Sequence, residues 1–301
     1  MTVPFITAEN LAETLPMVDA IDALEKMFAA PALPTTPPRQ HMATTSGELL
    51  TMPSWGDPGV GVKLITIDAA NPERGLSLIH GVYVLFSPET HELLAVIDGG
   101  ALTKIRTAAV SGLATRHLAR TDATHLVVFG AGVQAAGHID GMRAVRPIER
   151  VTIVARHEDG ARSLATEVGG TPGAAADVAE ADIICTCTTS PTPVFDGALV
   201  SPGTHINAIG AYRPTDRELD DTAVSAGRVI VETKEVALSE AGDVVLALEH
   251  GAIKRSQIEE LAGVVQGLGR ASEDEITVFK SVGAAFEDLA VAAAAYENLT
   301  R

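Results

Sequence analysis

Cysteine is nearly missing from this 301-residue chain, which has only Cys185 and Cys187. Two positions apart in an apolar run, they would share one face of a strand with Cα atoms near the upper limit for a bridge, so two buried thiols in a reducing cytoplasm are expected. Positive charge is scarce as well. Lys and Arg total 22 against 39 Asp and Glu, and the net charge of −17 works against a general binder of nucleic acid or anionic membrane, because both need a positive surface. No apolar run reaches membrane-spanning length, and Met1 to Glu9 has neither a basic lead nor a signal-like core, which predicts a soluble, cytoplasmic protein. None of the nine histidines falls in a His-Glu-x-x-His arrangement, the cysteines do not cluster for zinc, and no Gly-x-Ser-x-Gly elbow occurs. Metal-centred and serine-nucleophile chemistry are therefore set aside, and no metal site is assigned.

What the chain does have is a glycine-punctuated turn at Leu126-Val-Val-Phe-Gly-Ala-Gly-Val-Gln-Ala-Ala136, where a short apolar run gives way to a helical pattern. Gly130 would allow a sharp exit from a buried strand, Gly132 would let backbone approach a pyrophosphate, and Ala135 is small enough for close helix packing. The helix opening near Val133 would offer free N–H groups and positive dipole to phosphate. A β-branched strand at Arg150 to Ala155 completes a βαβ unit. That strand ends Ala155-Arg156-His157 with no acid at its tip. An acid there bonds a ribose hydroxyl and an arginine accommodates a 2′-phosphate, so NADPH is preferred and NADH remains possible, with Glu158 and Asp159 close enough to serve a ribose. A solvated surface Arg156 is the competing reading.

On either side, the pattern divides the chain in two. Thr7 opens amphipathic helix that Pro16 splits, four prolines between Pro31 and Pro38 enforce an extended connector ending at Arg39, and strands follow at 60–67, 78–86 and 93–97. A helix over 101–120 precedes the glycine turn. Strands at 126–129, 151–155, 183–186, 205–209 and 229–232 alternate with helix-length segments, the pattern of a doubly wound parallel sheet. Ser272 to Leu299 reads as an acidic start running into alanine-rich helix. The expected fold is α/β: a Rossmann doubly wound parallel sheet over 121–280, plus an α/β substrate-binding and dimerisation domain from 1–120 with 281–301. Lys63 stands out inside an apolar strand. Either it snorkels from a sheet face, or it is a buried cleft amine with a lowered pKa that donates a proton or pairs a carboxylate.

Met52-Pro-Ser, Lys63, Asn71-Pro-x-x-Gly-Leu76, Asp98-Gly, Arg106-Thr-Ala-Ala109, the Gly130 turn, His205 to Gly210, Arg217-Glu-Leu-Asp220, Glu240-Ala-Gly-Asp243 and Val278 to Gly283 together resemble the ornithine cyclodeaminase/mu-crystallin family. The resemblance runs in family order from about Arg39 to the C-terminus. It implies a two-domain homodimer whose last helix returns to the first domain. It implies substrate contacts from Arg39, Met52, Lys63, Arg106 and Tyr212, with Lys63 catalytic. For the cofactor it implies His80, Arg106, Thr107, Gly130, Gly132, Val133, Gln134, Arg156, Thr186, Cys187, Thr188, Ile209 and Ser281. His80 has an equally good alternative as an ordinary strand histidine.

One departure narrows the chemistry. Cyclodeaminases in the family carry an aspartate two residues before the proline of a Gly-x-x-x-Pro segment, and here Gly210-Ala-Tyr-Arg-Pro214 puts Tyr212 there. A phenol is a poor base at neutral pH. The expected reaction is therefore NAD(P)H-dependent hydride transfer to the C=N carbon of a small α-imino acid, formed as such or from an α-keto acid and an amine, yielding an amino acid. Ornithine or lysine cyclodeamination is the alternative, and a non-catalytic mu-crystallin-like protein binding NADPH or a small ligand is another.

Overall fold

The computed structural model describes residues 3–300, and contacts divide the chain at Arg106/Thr107 and at Gly283/Ala284 into two compact units. In the first, β1 (Phe5–Ile6) is followed by α1 (Ala8–Thr14) and α2 (Met17–Ala29), then β2 (Gln40–Ala43), β3 (Glu48–Gly56), β4 (Gly59–Ile67), β5 (Ile79–Phe86), β6 (Leu93–Asp98) and the start of α3 (Gly99–Leu118). Thr7 caps α1 through a reciprocal pair with Asn10, and Pro16 stands at the N-terminus of α2, so the proline does divide the two helices. The six strands lie in the order β1-β6-β5-β4-β3-β2, antiparallel except for β1 against β6.

Alternation gives this sheet two faces. Gly61, Lys63 and Ile65 of β4 point to the buried face, where Leu50, Met52 and Ile65 pack against Ala285 of the C-terminal helix Ala285–Thr300. Gly61 is obligatory there: a Cβ would lie 2.0 Å from the hydroxyl of Tyr83, which fills the space beside it. The β3 strand was not expected, because Pro53 lies inside it. It is tolerated because β2 pairs only with Glu48 to Thr51 and the next backbone bridge on that side is Trp55 to Thr35, so Pro53, which has no N–H, falls between them and is paired only with β4.

The second unit opens with the rest of α3 and continues through β7 (His125–Phe129), α4 (Val133–Val145), β8 (Arg150–Val154), α5 (Glu158–Val168), β9 (Thr171–Pro172), β10 (Ile183–Thr186) and β11 (His205–Ala208). It closes with α6 (Asp221–Ala226), β12 (Arg228–Val231), α7 (Lys234–Glu240), α8 (Gly242–Glu249), β13 (Ile258–Glu260), α9 (Leu261–Val265) and β14 (Thr277–Lys280); the C-terminal helix of the first unit is then α10. All eight strands are parallel, in the order β13-β12-β14-β11-β10-β7-β8-β9, so strand order reverses between β7 and β10. This is the doubly wound Rossmann arrangement. Both faces are buried: Leu126 and Val128 join one core cluster with Ile139 and Ile153, while Val127 and Phe129 join the opposite one with Ile184 and Ile206.

Two expectations shift. The segment after Ser272 contains a strand before its helix: β14 lies between β11 and β12, and α10 starts only at Ala285. A four-residue strand buried on both faces shows no alternation, which is why it reads as part of the helix. The first division falls inside α3 at Arg106/Thr107, ahead of the Thr121 boundary suggested by sequence. The later half of α3 belongs with the parallel sheet because Thr115 accepts from Asn207 at 3.0 Å and the Arg146 guanidinium donates to the Thr115, Arg116 and Ala119 carbonyls at 2.8–2.9 Å.

Candidate active site

In the first unit, four ionic side chains converge beneath the sheet. Lys63 sits on β4 directly across from Met52 of β3 and Tyr83 of β5, and its Nζ lies 2.7 Å from Oδ2 of Asp288 on α10. The Arg106 guanidinium, on α3, places Nε 3.2 Å from Asp288 Oδ1 and Nη1 3.2 Å from Glu287 Oε2. Lys63 is 1 % exposed, Arg106 6 %, and both carboxylates 0 %, so these pairs are screened by protein and not by water. Burial lowers the Lys63 ammonium from 10.5 to about 8; Asp288 opposes that shift, whereas Arg106 and Arg39 add to it. The repulsion also places Arg39, at the end of the proline connector, within electrostatic range of Lys63.

Sequence reading singled out the cations and missed the acids. In the sequence Glu287 and Asp288 stand only as charges that make the final helix unfit for a membrane span. Their signal was the pairing of two adjacent acids with a following run of Leu, Ala and Val, which must bury them. His80 is not brought to the cluster: it is exposed, and Ile79 packs with Met52 and Ala285, so strand alternation turns His80 to the other face of the sheet.

The second unit collects the other nominated residues at the carboxyl ends of its strands. Gly130 follows β7 with φ +110°, and a Cβ there would meet the Cys187 carbonyl at 2.5 Å. Gly132 is the N-cap of α4, and the position its Cβ would occupy has no protein atom within 4 Å. Val133 is 66 % exposed beside that opening, Ala135 is fully buried, and Gln134 Oε1 is buried without a hydrogen-bond partner among the described residues. An open backbone cradle at the start of a 13-residue helix fits the pyrophosphate of a dinucleotide. Arg156 is exposed just after β8. Thr107, at the start of this unit, and Ile209, after β11, are buried. Tyr212 is 42 % exposed, its ring 5.6 Å from the Arg213 guanidinium carbon.

Three carboxylates to which the sequence assigns no role, two in the quoted motifs and Glu232 at a strand end, organise these ends. Glu218 accepts from Thr186, Thr188, Gly210 and Ala211. Glu232, just after β12, accepts from the Ser281 hydroxyl and the Val282 and Gly283 amides. Asp243 accepts from the Glu218 and Leu219 amides at 2.8 Å and pairs with Lys280 at 2.9 Å. Burial raises the Glu218 carboxyl above the ordinary range, with Lys280 and Thr188 pulling it back. Cys185 and Cys187 are both free thiols, and burial pushes Cys185 up to about 12. Among the described residues, no helix is long and apolar enough to cross a membrane.

The sequence model of the ornithine cyclodeaminase/mu-crystallin family matches residues 3–301. A Delta(1)-pyrroline-2-carboxylate reductase of Bacillus cereus (strain ZK / E33L) is 41% identical over 270 residues, covering 85% of this chain and 83% of that protein. The solved Thermococcus litoralis Delta(1)-pyrroline-2-carboxylate reductase in complex with NADH and L-proline superposes with a TM-score of 0.91 at 31% identity, over 98% of this chain and 97% of that one. An archaeal alanine dehydrogenase dimer with bound NAD gives 0.92 at 32% identity, over 100% and 97%. The iminosuccinate reductase of Paracoccus denitrificans with NAD+ gives 0.89 at 28%, over 99% and 96%. The chain is a member of the ornithine cyclodeaminase/mu-crystallin family.

Proposed function

We propose that this protein is an NAD(P)H-dependent reductase of a small α-imino acid, with Delta(1)-pyrroline-2-carboxylate, reduced to proline, as the first substrate to test. The observation that carries the reading is Lys63: an amine buried in an ion-paired cluster, with a pKa brought to about 8, that shares Asp288 with the Arg106 guanidinium. Arg39, Lys63 and Arg106 are the cations assigned to the substrate carboxylate, with Glu287 and Asp288 paired to the last two. Arg39 and Arg106 hold that carboxylate. Lys63 keeps the imine nitrogen protonated, so electron demand at the adjacent carbon rises as hydride arrives. Asp288 keeps Lys63 charged near neutrality. The nicotinamide supplies the hydride when bound. Gly130, Gly132, Val133 and Gln134 cradle its pyrophosphate, and Thr188, Cys187, Ile209 and Ser281 line its nicotinamide end.

The cofactor preference proposed is for NADPH, with Arg156 on the 2′-phosphate, because the tip of β8 offers an exposed guanidinium and no carboxylate. Relatives of known structure carry NADH or NAD, so the preference needs its own measurement. The proposed assembly is a homodimer joined through the outer face of the six-stranded sheet, where Val60, Val62, Leu64, Val82, Val84 and Val96 are only part-buried.

The test is cofactor oxidation with Delta(1)-pyrroline-2-carboxylate, with iminosuccinate, and with pyruvate plus ammonia, together with the reverse assay of ornithine with NAD. Turnover of at least one imine supports the reading. Proline formed from ornithine with no imine turnover would replace it with cyclodeamination, a reaction for which Tyr212 supplies no carboxylate. Cofactor binding without any turnover would leave a binding protein.

A further inference from the structure

We propose that Glu218 is a positioning residue for the dinucleotide, acting through the two strand exits that line it; this rests on the proposed cofactor site. Glu218 lies in the loop between β11 and α6, fully buried, and its carboxylate accepts five hydrogen bonds. Oε1 takes the Thr188 amide and hydroxyl, both at 2.7 Å, just past β10. Oε2 takes the Gly210 amide at 2.6 Å and the Ala211 amide at 3.3 Å, just past β11, and the Thr186 hydroxyl at 2.9 Å. The last rung joining these strands is Ile209 N–H to the Thr186 carbonyl at 3.0 Å. Beyond it no backbone bond joins the two exits among the described residues, and one carboxylate bonds to both.

The fixation extends to the phosphate turn. Holding Thr188 holds the peptide before it, whose Cys187 carbonyl approaches Gly130 so closely that no Cβ fits. The second exit is equally tight: a Cβ on Gly210 would lie 1.9 Å from the Thr188 carbonyl oxygen and 2.6 Å from Glu218 Oε1. Glu218 is held in turn by Asp243, which accepts its amide, and Asp243 pairs with Lys280, whose Nζ donates to the Ala211 carbonyl. The circuit therefore closes on the same exit it supports.

Three of the five partners, the Thr188, Gly210 and Ala211 amides, can only donate, and each carboxylate oxygen faces at least one of them, so acceptors are required at both oxygens. Glu218→Gln keeps the volume and turns an NH2 towards two or three of those donors. Purified full-length Glu218→Gln is titrated with NADPH and NADH, and its kinetic constants and melting curve are compared with wild type. The expected result is a Kd for the preferred cofactor raised by about tenfold or more, from reversed hydrogen bonds at a buried acceptor. KM for the imino acid should stay within about twofold, because its clamp lies in the first unit.

Thr186→Val, a fully buried isosteric change that removes one donor, should raise the same Kd by about threefold. A folded Glu218→Gln whose Kd matches wild type, with only a lower Tm, overturns the proposal and leaves Glu218 a residue of the fold. If Glu218→Gln does not fold, Thr186→Val decides: an unchanged Kd overturns the proposal and a raised one supports it. Wild-type protein that binds neither nucleotide would sink the cofactor reading itself, an outcome distinct from normal wild-type binding with an insensitive variant.

Discussion

Asp288 and Glu287 in the first unit, and Glu218 and Glu232 in the second, are all buried carboxylates, but they face different partners. In the first unit the partners are cations, Lys63 and Arg106, each desolvated and set by another element. In the second the partners are mostly amides and hydroxyls at strand ends. A buried carboxylate against a cation sets how much charge a site holds and at what pH. A buried carboxylate against N–H groups sets where backbone lies. Substitutions in the first unit should therefore move pH profiles, and substitutions in the second should move cofactor affinity.

The largest expected effect is at Lys63. Lys63→Met should reduce kcat/KM for the imino acid by about 10³-fold, some 4 kcal/mol of lost transition-state stabilisation, while cofactor Kd measured by nicotinamide fluorescence stays near wild type. Equal loss of cofactor binding would erase the distinction between the units.

Asp288→Asn comes next. Removing one partner of a buried ion pair costs on the order of 3–5 kcal/mol, which a urea melt would register. Asp288 also raises the Lys63 pKa against burial, so its neutralisation should take that pKa below about 8 and shift the alkaline limb of kcat/KM to lower pH. A limb that stays in place would mean that Asp288 serves only the fold.

Gly130→Ala examines the second unit by backbone strain. At φ +110°, with the Cys187 carbonyl 2.5 Å from the new Cβ, the substitution should cost about 1–3 kcal/mol and weaken dinucleotide binding without moving the pH limb. Arg156→Ala is the smallest: the NADPH-over-NADH ratio of kcat/KM should fall by about tenfold, with stability unchanged because the side chain is exposed. A ratio that survives leaves Arg156 a solvated residue.

The legible parts of the sequence were those with a period or a steric requirement. Leu126 to Ala136 announced its turn because only glycine takes the conformation at Gly130, and β4, β5 and β6 showed strand patterning. Lys63 was legible as an amine in an apolar strand, and its burial and lowered pKa follow from that placement. What could not be read depended on distant partners. Whether Asp288 begins a helix or neutralises Lys63 is decided 225 positions away in the chain, as the separation of residues 63 and 288 shows. Glu218 belonged to a recognisable motif, but five donors from two strand exits define its role. β14 was hidden because burial on both faces removes alternation, and β3 because its proline pairs on one side only.

If protonated Lys63 drives imine reduction, the pH dependence of kcat/KM should carry its titration in both directions of the reaction. A Lys63 pKa of about 8 means the charged form dominates below that pH and is lost above it. Reduction of Delta(1)-pyrroline-2-carboxylate should be flat on the acid side of about pH 8 and fall about tenfold per unit above it. Oxidation of the product amino acid, which needs the neutral amine as base, should rise through the same value. Both limbs should be missing in Lys63→Met. A reduction rate that is level through pH 10, or a limb near pH 8 that persists in Lys63→Met, would contradict the assignment.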